Sequence, residues 1–360
     1  MSILTPRIDK LENNHLINGA FDFWQRGTSF TLGPAVNSDI YYADRWKATV
    51  QSVTNTTLTM TRSTDVPTAS TTNPTYSSLA TVTVAGTQNT SSYILPFWQR
   101  IEGTFFKNLH KNTMTVQFWI KASIAGTYPI ALRNGANTRS FATTFAVASP
   151  NTWTFVSKVI QLDLAGTWTT DNTIGIEIFI ASSVGSGFTV SSNDTWQNGN
   201  FFNAVGTTNW FITGATVQIA EVAIYKGDLG NSSSSGAAST AFKLAGRTYQ
   251  GELILCERYW RKYQHLPVVG TSTTTISSYV TLNPEMVKAP TAGQTGVLNI
   301  QNATVNSAQT GLSMNTTFSG QSMVILTAGL FSGGLLATQT WYWLGIPANN
   351  GNYVFFDAEL

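Results

Sequence analysis

Trp168 in AGTWTTDN, Trp196 in SSNDTWQNGN and Trp210 in GTTNWF each stand where a strand-like run breaks, with Asp171, Asn172, Asp194 and Asn198 close by in sequence. An indole in such a loop offers a flat apolar face on which a pyranose ring can stack, while neighbouring amides and carboxylates bond its hydroxyls. A second set, Trp341, Tyr342 and Trp343, lies near the carboxyl end. Trp168, Asp171, Asn172, Asp194, Trp196, Trp210, Trp341 and Tyr342 are therefore the candidates for contact with a glycan. Edge packing or a subunit interface is the competing use of each tryptophan, since 11 Trp, 12 Tyr and 20 Phe are mostly what a large core requires.

Two strings near the start also carry reactive-looking groups: Trp24-Gln25-Arg26 and Asp44-Arg45-Trp46. They could supply stacking, a hydrogen-bond fork and an acid. The structural use is favoured, an Arg–Asp pair half-buried under an aromatic lid where the first strands close a core, so that substitutions there cost folding before binding. The histidines His15, His110 and His265 form no HxH or HxxxH pair, and no GxSxG, phosphate loop or GxGxxG follows a strand. Asp163, Asp171, Glu177, Asp194 and Glu221 cannot be paired across a cleft from sequence. The expectation is a protein without catalytic activity and without a cofactor. A structural calcium is compatible with Asp171-Asn172 or Asn193-Asp194 but not indicated, because no dense Asp/Asn loop is present.

The elements that must position these residues read as strands. Charged residues make up only 11% of the 360, the net charge is +2, and Thr, Ser, Asn, Gln and Gly stand in for the missing charge. Such a surface suits the solvent face of strands, and it excludes a nucleic-acid groove. No run approaches the roughly 20 apolar residues of a membrane-spanning helix, so no membrane insertion is expected. In MTVQFWIKAS (114–123), Met114, Val116, Phe118 and Ile120 fall on one face and Thr115, Gln117 and Trp119 on the other. TLTMTRS (57–63), LATVTVAG (79–86), WTFVSKVIQLD (153–163), IGIEIFIAS (174–182) and ATVQIAEVAIYKG (215–227) read alike, with Asn134-Gly135 and Asn198-Gly199 as hairpin-type turns.

The pattern predicts an all-β chain: an antiparallel jelly-roll β-sandwich, then one amphipathic helix and a smaller β-domain. Residues 1–14, with Leu4, Ile8 and Leu11 at helical spacing, are read as an attachment arm, and 15–229 as the jelly roll. Residues 230–245, which include GNSSSSGAAS, are the linker, and 246–360 carry the helix, predicted over 251–264, and the second β-domain. The single cysteine, Cys256, falls on the apolar stripe of that helix and reads as a small buried hydrophobe.

Specific strings then carry a resemblance. LINGAFDFWQRGTSF (16–30), YYADRWKA (41–48), FWQRIEG (97–103), TVQFWIKAS (115–123), the run 195–228, RTYQGELILCERYWRKY (247–263), PEMVKAPT (284–291) and the terminal FDAEL (356–360) occur in one order along the chain. In that order they resemble a family of tailed-bacteriophage tail or fibre proteins that carry a carbohydrate-binding-module-like jelly roll. Trp260 and Glu257 depart from that pattern, where Tyr and Gln are more usual. The resemblance implies a virion structural protein, exposed on a tail fibre, spike or head fibre, docked to other virion proteins through its amino-terminal arm. It further implies a homo-oligomer, most simply a trimer, binding host-surface polysaccharide. A decoration, collar or adaptor protein that binds only other virion proteins is the alternative.

Overall fold

A computed structural model describes residues 14–33, 37–234, 242–301, 306–309, 313–329, 336, 340–345 and 353–360. The proposed attachment arm up to residue 13 and the middle of the Ser/Gly-rich linker lie outside them. The chain forms two compact units, residues up to Leu253 together with Leu360, and Ile254–Glu359.

The first unit is a sandwich of two antiparallel sheets. One runs, edge to edge, through Ser29–Leu32, Thr57–Ser63, Ser77–Val84, Thr216–Lys226, Thr113–Ala122, Thr154–Gln161 and Ser232–Ser234. The other runs through Gln197–Asn198, Arg139–Val147, Gly126–Asn134, Ile174–Ile180, Tyr93–Glu102, Trp46–Gln51 and Asn37–Tyr41, with Ser183–Val184 also pairing beside Tyr93–Glu102. Strands adjacent in space are remote in sequence, as in Thr113–Ala122 lying between Thr216–Lys226 and Thr154–Gln161. Successive strands also pass between the sheets, as from Ser77–Val84 to Tyr93–Glu102 and back to Thr113–Ala122, which is the jelly-roll arrangement. All six strands read above are present within a residue or two of their predicted bounds. The inner faces meet in one core: Val116, Phe118, Ile120, Val217, Ile219, Val222 and Ile224 from the first sheet, Ala48, Val50, Phe97, Ile130, Leu132, Ile176 and Ile178 from the second.

Three local readings are corrected. Asn134 does close the hairpin between Gly126–Asn134 and Arg139–Val147, but Asn198-Gly199 leads into irregular chain, with Gly199 at φ 135°. The start of the linker is not free chain: Ser232–Ser234 adds an edge strand to Thr154–Gln161, because that edge had unpaired backbone groups to offer. The helix spans Tyr249–Glu257 rather than 251–264, and Trp260–Tyr263 is a strand paired with Tyr353–Asp357. A pairing partner nearly a hundred residues away outweighs the local helical spacing of Trp260 and Tyr263, and Cys256 and Trp260 are both buried without it being continuous helix.

The second unit holds two antiparallel sheets of its own. A three-stranded one orders Trp260–Tyr263, Tyr353–Asp357 and Thr291–Thr295. A seven-stranded one orders Asn306–Gln309, Leu298–Gln301, Trp341–Gly345, His265–Gly270, Thr275–Thr281, Met323–Gly329 and Ser313–Ser319. Leu266, Val268, Ile276, Val280, Val324, Leu326, Tyr342 and Leu344 are its buried face.

Candidate functional site

The opening strings fold into one buried clamp. Asn18 takes a left-handed backbone conformation (φ 57°), and its side-chain amide donates to the carbonyls of Phe23 (2.8 Å) and Asp44 (3.0 Å) while its Oδ1 accepts from Phe23 N (3.0 Å). The Trp46 indole donates to Asn18 O at 2.9 Å, and the Trp24 indole to Phe21 O at 2.7 Å. Asp44 accepts from the Gln25 backbone (3.2 Å) and side chain (2.6 Å) and lies 3.9 Å from Arg26. Arg45, also buried, donates instead to Arg100 O at 2.7 Å. These residues hold the entry of the chain to the core.

Among the loop candidates, the fold brings Trp168 and Trp196 together, edge to face at 5.3 Å, with Phe106 against Trp168 (5.2 Å) and Phe141 against Trp196 (5.4 Å). Both indole N–H groups are spent on backbone carbonyls, of Ala165 and Gln161. Trp168 is buried and Trp196 half-buried. Trp210 is fully buried, its N–H bonded to Ala181 O at 2.9 Å, so the loop position assigned to it from sequence is a core position. Asp171 closes a turn, accepting from Thr173 N at 2.9 Å and from its hydroxyl; those bonds hold its carboxyl below the usual range. Asn172 beside it is exposed. Asp194, exposed and left-handed (φ 59°), bonds Ala142 O through its backbone N–H, and Asn198 accepts from Arg139, which forks onto Asp163 at 2.8 Å.

His110 closes this cluster, 5.5 Å from Phe106 and 6.4 Å from Trp168, with its Nε2 buried and unbonded among the described residues. Burial, helped by Lys111, lowers its pKa below the ordinary imidazole value. A folded-state value below the unfolded one means stability is full at neutral pH and is lost as pH falls through the unfolded value of about 6.5. His110→Gln is therefore expected to shrink the drop in Tm between neutral and mildly acidic pH. An unchanged drop would assign the acid sensitivity to other groups.

The carboxyl-terminal candidates are split by strand alternation. Along Trp341–Gly345, Tyr342 is buried (3% exposed) in the second unit's core, whereas Trp341 (68%) and Trp343 (52%) stand in solvent on the opposite face. Tyr342 is thus a core residue, and Trp343 is the proper companion of Trp341: positions two apart on a strand share a face, about 6.8 Å from one another. The register sets Trp341 opposite Val269 and Trp343 opposite Pro267, continues Val269 to Ser277, and carries Tyr279 (70% exposed) opposite Ile325. His265, Pro267, Val269, Ser277, Tyr279, Met323, Ile325 and Thr327 complete that face by the same alternation, and none of them is an acid or a lysine or arginine. The result is a broad, uncharged surface bearing two adjacent indoles. Contiguous exposed apolar areas mark contact surfaces more often than singly exposed side chains do.

Glu221 carries a signal in the sequence beyond its carboxylate. In ATVQIAEVAIYKG, Val217 and Ile219 point inward and so do Val222 and Ile224, a slip of one residue in the period. That slip is a β-bulge: Ala220 pairs with Trp119 and Ala223 with Gln117. Glu221 is the extra residue, left-handed at φ 51°.

No protein-family model matches the chain, and no curated protein sequence does. Among solved structures, a family-61 carbohydrate-binding module in complex with β-1,4-galactotriose is similar over 60% of this chain and all of its own, at 10% identity and a TM-score of 0.29. A family-4 carbohydrate-binding module is similar over 58% of this chain and 98% of its own, at 11% identity and a TM-score of 0.27. The binding domain of botulinum neurotoxin DC in complex with rat synaptotagmin II covers 82% of this chain and 94% of its own, at 8% identity and a TM-score of 0.20. Likenesses at these scores carry no weight for ligand or ancestry. The strand order itself makes the chain an antiparallel jelly-roll β-sandwich followed by a helix and a second, smaller β unit.

Proposed function

We propose that this chain is a non-catalytic carbohydrate-binding protein carried on a tailed-phage particle, and that polysaccharide lies along the Trp341–Trp343 face of its second unit. The observation that carries the binding half is the pair of indoles, 68% and 52% exposed, side by side on one uncharged sheet face. Indole faces stack on the apolar faces of successive sugar rings, and burying them on a ligand recovers the free energy their exposure forgoes. Ser277, Thr327 and His265 sit on the same face and offer hydroxyl and imidazole partners to sugar hydroxyls. Such a surface binds weakly per copy, and repetition on a particle multiplies the affinity. The virion half rests on the ordered strings from Leu16 to Leu360 and their resemblance to phage tail and fibre proteins.

Binding of purified chain to host-envelope polysaccharide, measured by glycan array and by affinity electrophoresis, tests the reading. Trp341→Ala and Trp343→Ala are each expected to weaken binding about tenfold, equivalent to about 1.4 kcal/mol, with Tm unchanged because both side chains are in solvent. Variants that bind as wild type would overturn the assignment of this face. A folded chain that binds other virion proteins through it and no glycan would establish the decoration, collar or adaptor reading instead.

A further inference from the structure

The bulge at Glu221 opens onto a cleft in the first unit, of about 740 Å³, that the sugar-stacking face does not involve. Its walls come from Ala20 and Asp22, Thr72–Thr75, Phe242–Leu244 and Arg247, together with Glu221 of the bulge. A volume of that size lies within the range of small-ligand sites. Several features indicate a built site. Glu221 is 5% exposed, and its carboxylate is fixed by the hydroxyls of Ser70 (2.6 Å) and Thr72 and by the Trp119 indole. The bulge is itself locked against Gly19: Val222 N donates to Gly19 O at 2.9 Å, and a Cβ on Gly19 would stand 2.0 Å from Val222 O. A non-glycine residue held left-handed inside a central strand persists only where its surroundings fix it, and such positions gather at functional sites. Burial raises the carboxyls of both Glu221 and Asp22 above the usual range.

The polar inventory of the cleft selects the ligand. Two carboxylates, Asp22 and Glu221, stand with two cations, Lys243 and Arg247, and with Thr72, Asn73 and Thr75, which donate or accept. An anion would meet the two carboxylates, and a cation the Lys and Arg; either desolvates a like charge. A neutral polyol both donates to carboxylates and accepts from cations, and Phe242, Leu244, Pro74 and Ala20 provide apolar contact for the ring. We propose that this cleft binds a neutral mono- or disaccharide unit edge-on, through hydroxyl donation to Asp22 and Glu221, as a carbohydrate site separate from the stacking face.

Titration of the full chain with galactose, glucose, mannose, lactose and maltose, followed by saturation-transfer NMR and calorimetry, tests it. At least one sugar is expected to bind at millimolar concentration, about tenfold more weakly to Asp22→Asn and to Glu221→Gln, and undiminished to the Trp341→Ala/Trp343→Ala double variant. If Glu221→Gln does not fold, Asp22→Asn decides alone, its side chain being only half-buried. No binding by any of the five sugars, wild-type affinity in Asp22→Asn, or binding of glycine in place of the sugars overturns the proposal. Loss of sugar binding only in the tryptophan double variant would place all recognition on the stacking face, so the two readings fail separately.

Discussion

Asn18→Ala is expected to lower the stability of the first unit by about 4 kcal/mol, summing the loss of hydrogen bonds to three buried backbone groups at about 0.5–1.5 kcal/mol each with left-handed strain on an alanine of about 1 kcal/mol or more. The three groups are Phe23 N, Phe23 O and Asp44 O, all held by the Asn18 side chain, and the residue is fully buried at φ 57°. Asn18→Gly removes the same bonds without the strain and is expected to recover only about 1 kcal/mol of the loss. Asn18→Asp keeps the acceptor but turns a carboxylate oxygen toward two carbonyl oxygens, and should cost as much as alanine. Urea unfolding at neutral pH reads all three; a midpoint for Asn18→Ala close to wild type would show that the clamp is not what closes the core. That result would assign to folding the Asp44-Arg45-Trp46 string, which meets Asn18 through Asp44 O and the Trp46 indole, and with it the Trp24-Gln25-Arg26 string that Asp44 holds through Gln25.

Glu177→Ala is expected to cost about 3–5 kcal/mol, the usual consequence of removing one partner from a buried ion pair. The carboxylate is 1% exposed, accepting from Arg100 Nε at 3.0 Å and Arg133 Nε at 2.7 Å. Arg133 lies over the rings of Phe179 (5.3 Å) and Phe202 (4.7 Å), and Arg100 over Trp98 (5.0 Å). Burial already pushes the Arg133 guanidinium below its ordinary pKa, with Glu177 opposing the shift. Without Glu177 that guanidinium keeps, among the described residues, Asn200 and two aromatic faces. Replacing Glu177, Arg100 and Arg133 together by methionine is expected to recover most of the loss, because the desolvation of all three charges is removed at once. A triple variant no more stable than Glu177→Ala would mean the network contributes more than it costs to bury.

Neither of these groups was visible as an anchor in the sequence. In IGIEIFI, alternation sends Ile176, Ile178 and Ile180 inward and Glu177 and Phe179 outward, which the structure bears out. What alternation does not show is that the outward face is itself covered, by Val190, Phe202 and Ala204 packing with Leu95, Trp98 and Phe179, with Tyr93, Phe188 and Phe201 around them. The same limit hid Trp119, which points away from the core yet is buried with Phe155 and Ala220. A loop's tryptophan is exposed or buried according to which distant segment lies over it, and no local pattern records that. Trp168, Trp210 and Tyr342 therefore read like candidates and fold as core, whereas Trp341 and Trp343 remain in solvent.

By itself the sequence determined the all-β class, six strands of the sandwich and the side of each that faces inward, because a period of two is a property of neighbouring residues. It even carried the Glu221 bulge, as a one-residue slip between Ile219 and Val222. Tertiary structure alone decided that Trp260–Tyr263 is strand and not helix, that Ser232–Ser234 joins an edge, and which aromatic faces stay open. Each of those outcomes is set by backbone pairing or cover from residues far away in the chain, and such pairing outweighs a local preference worth less than about 1 kcal/mol per residue.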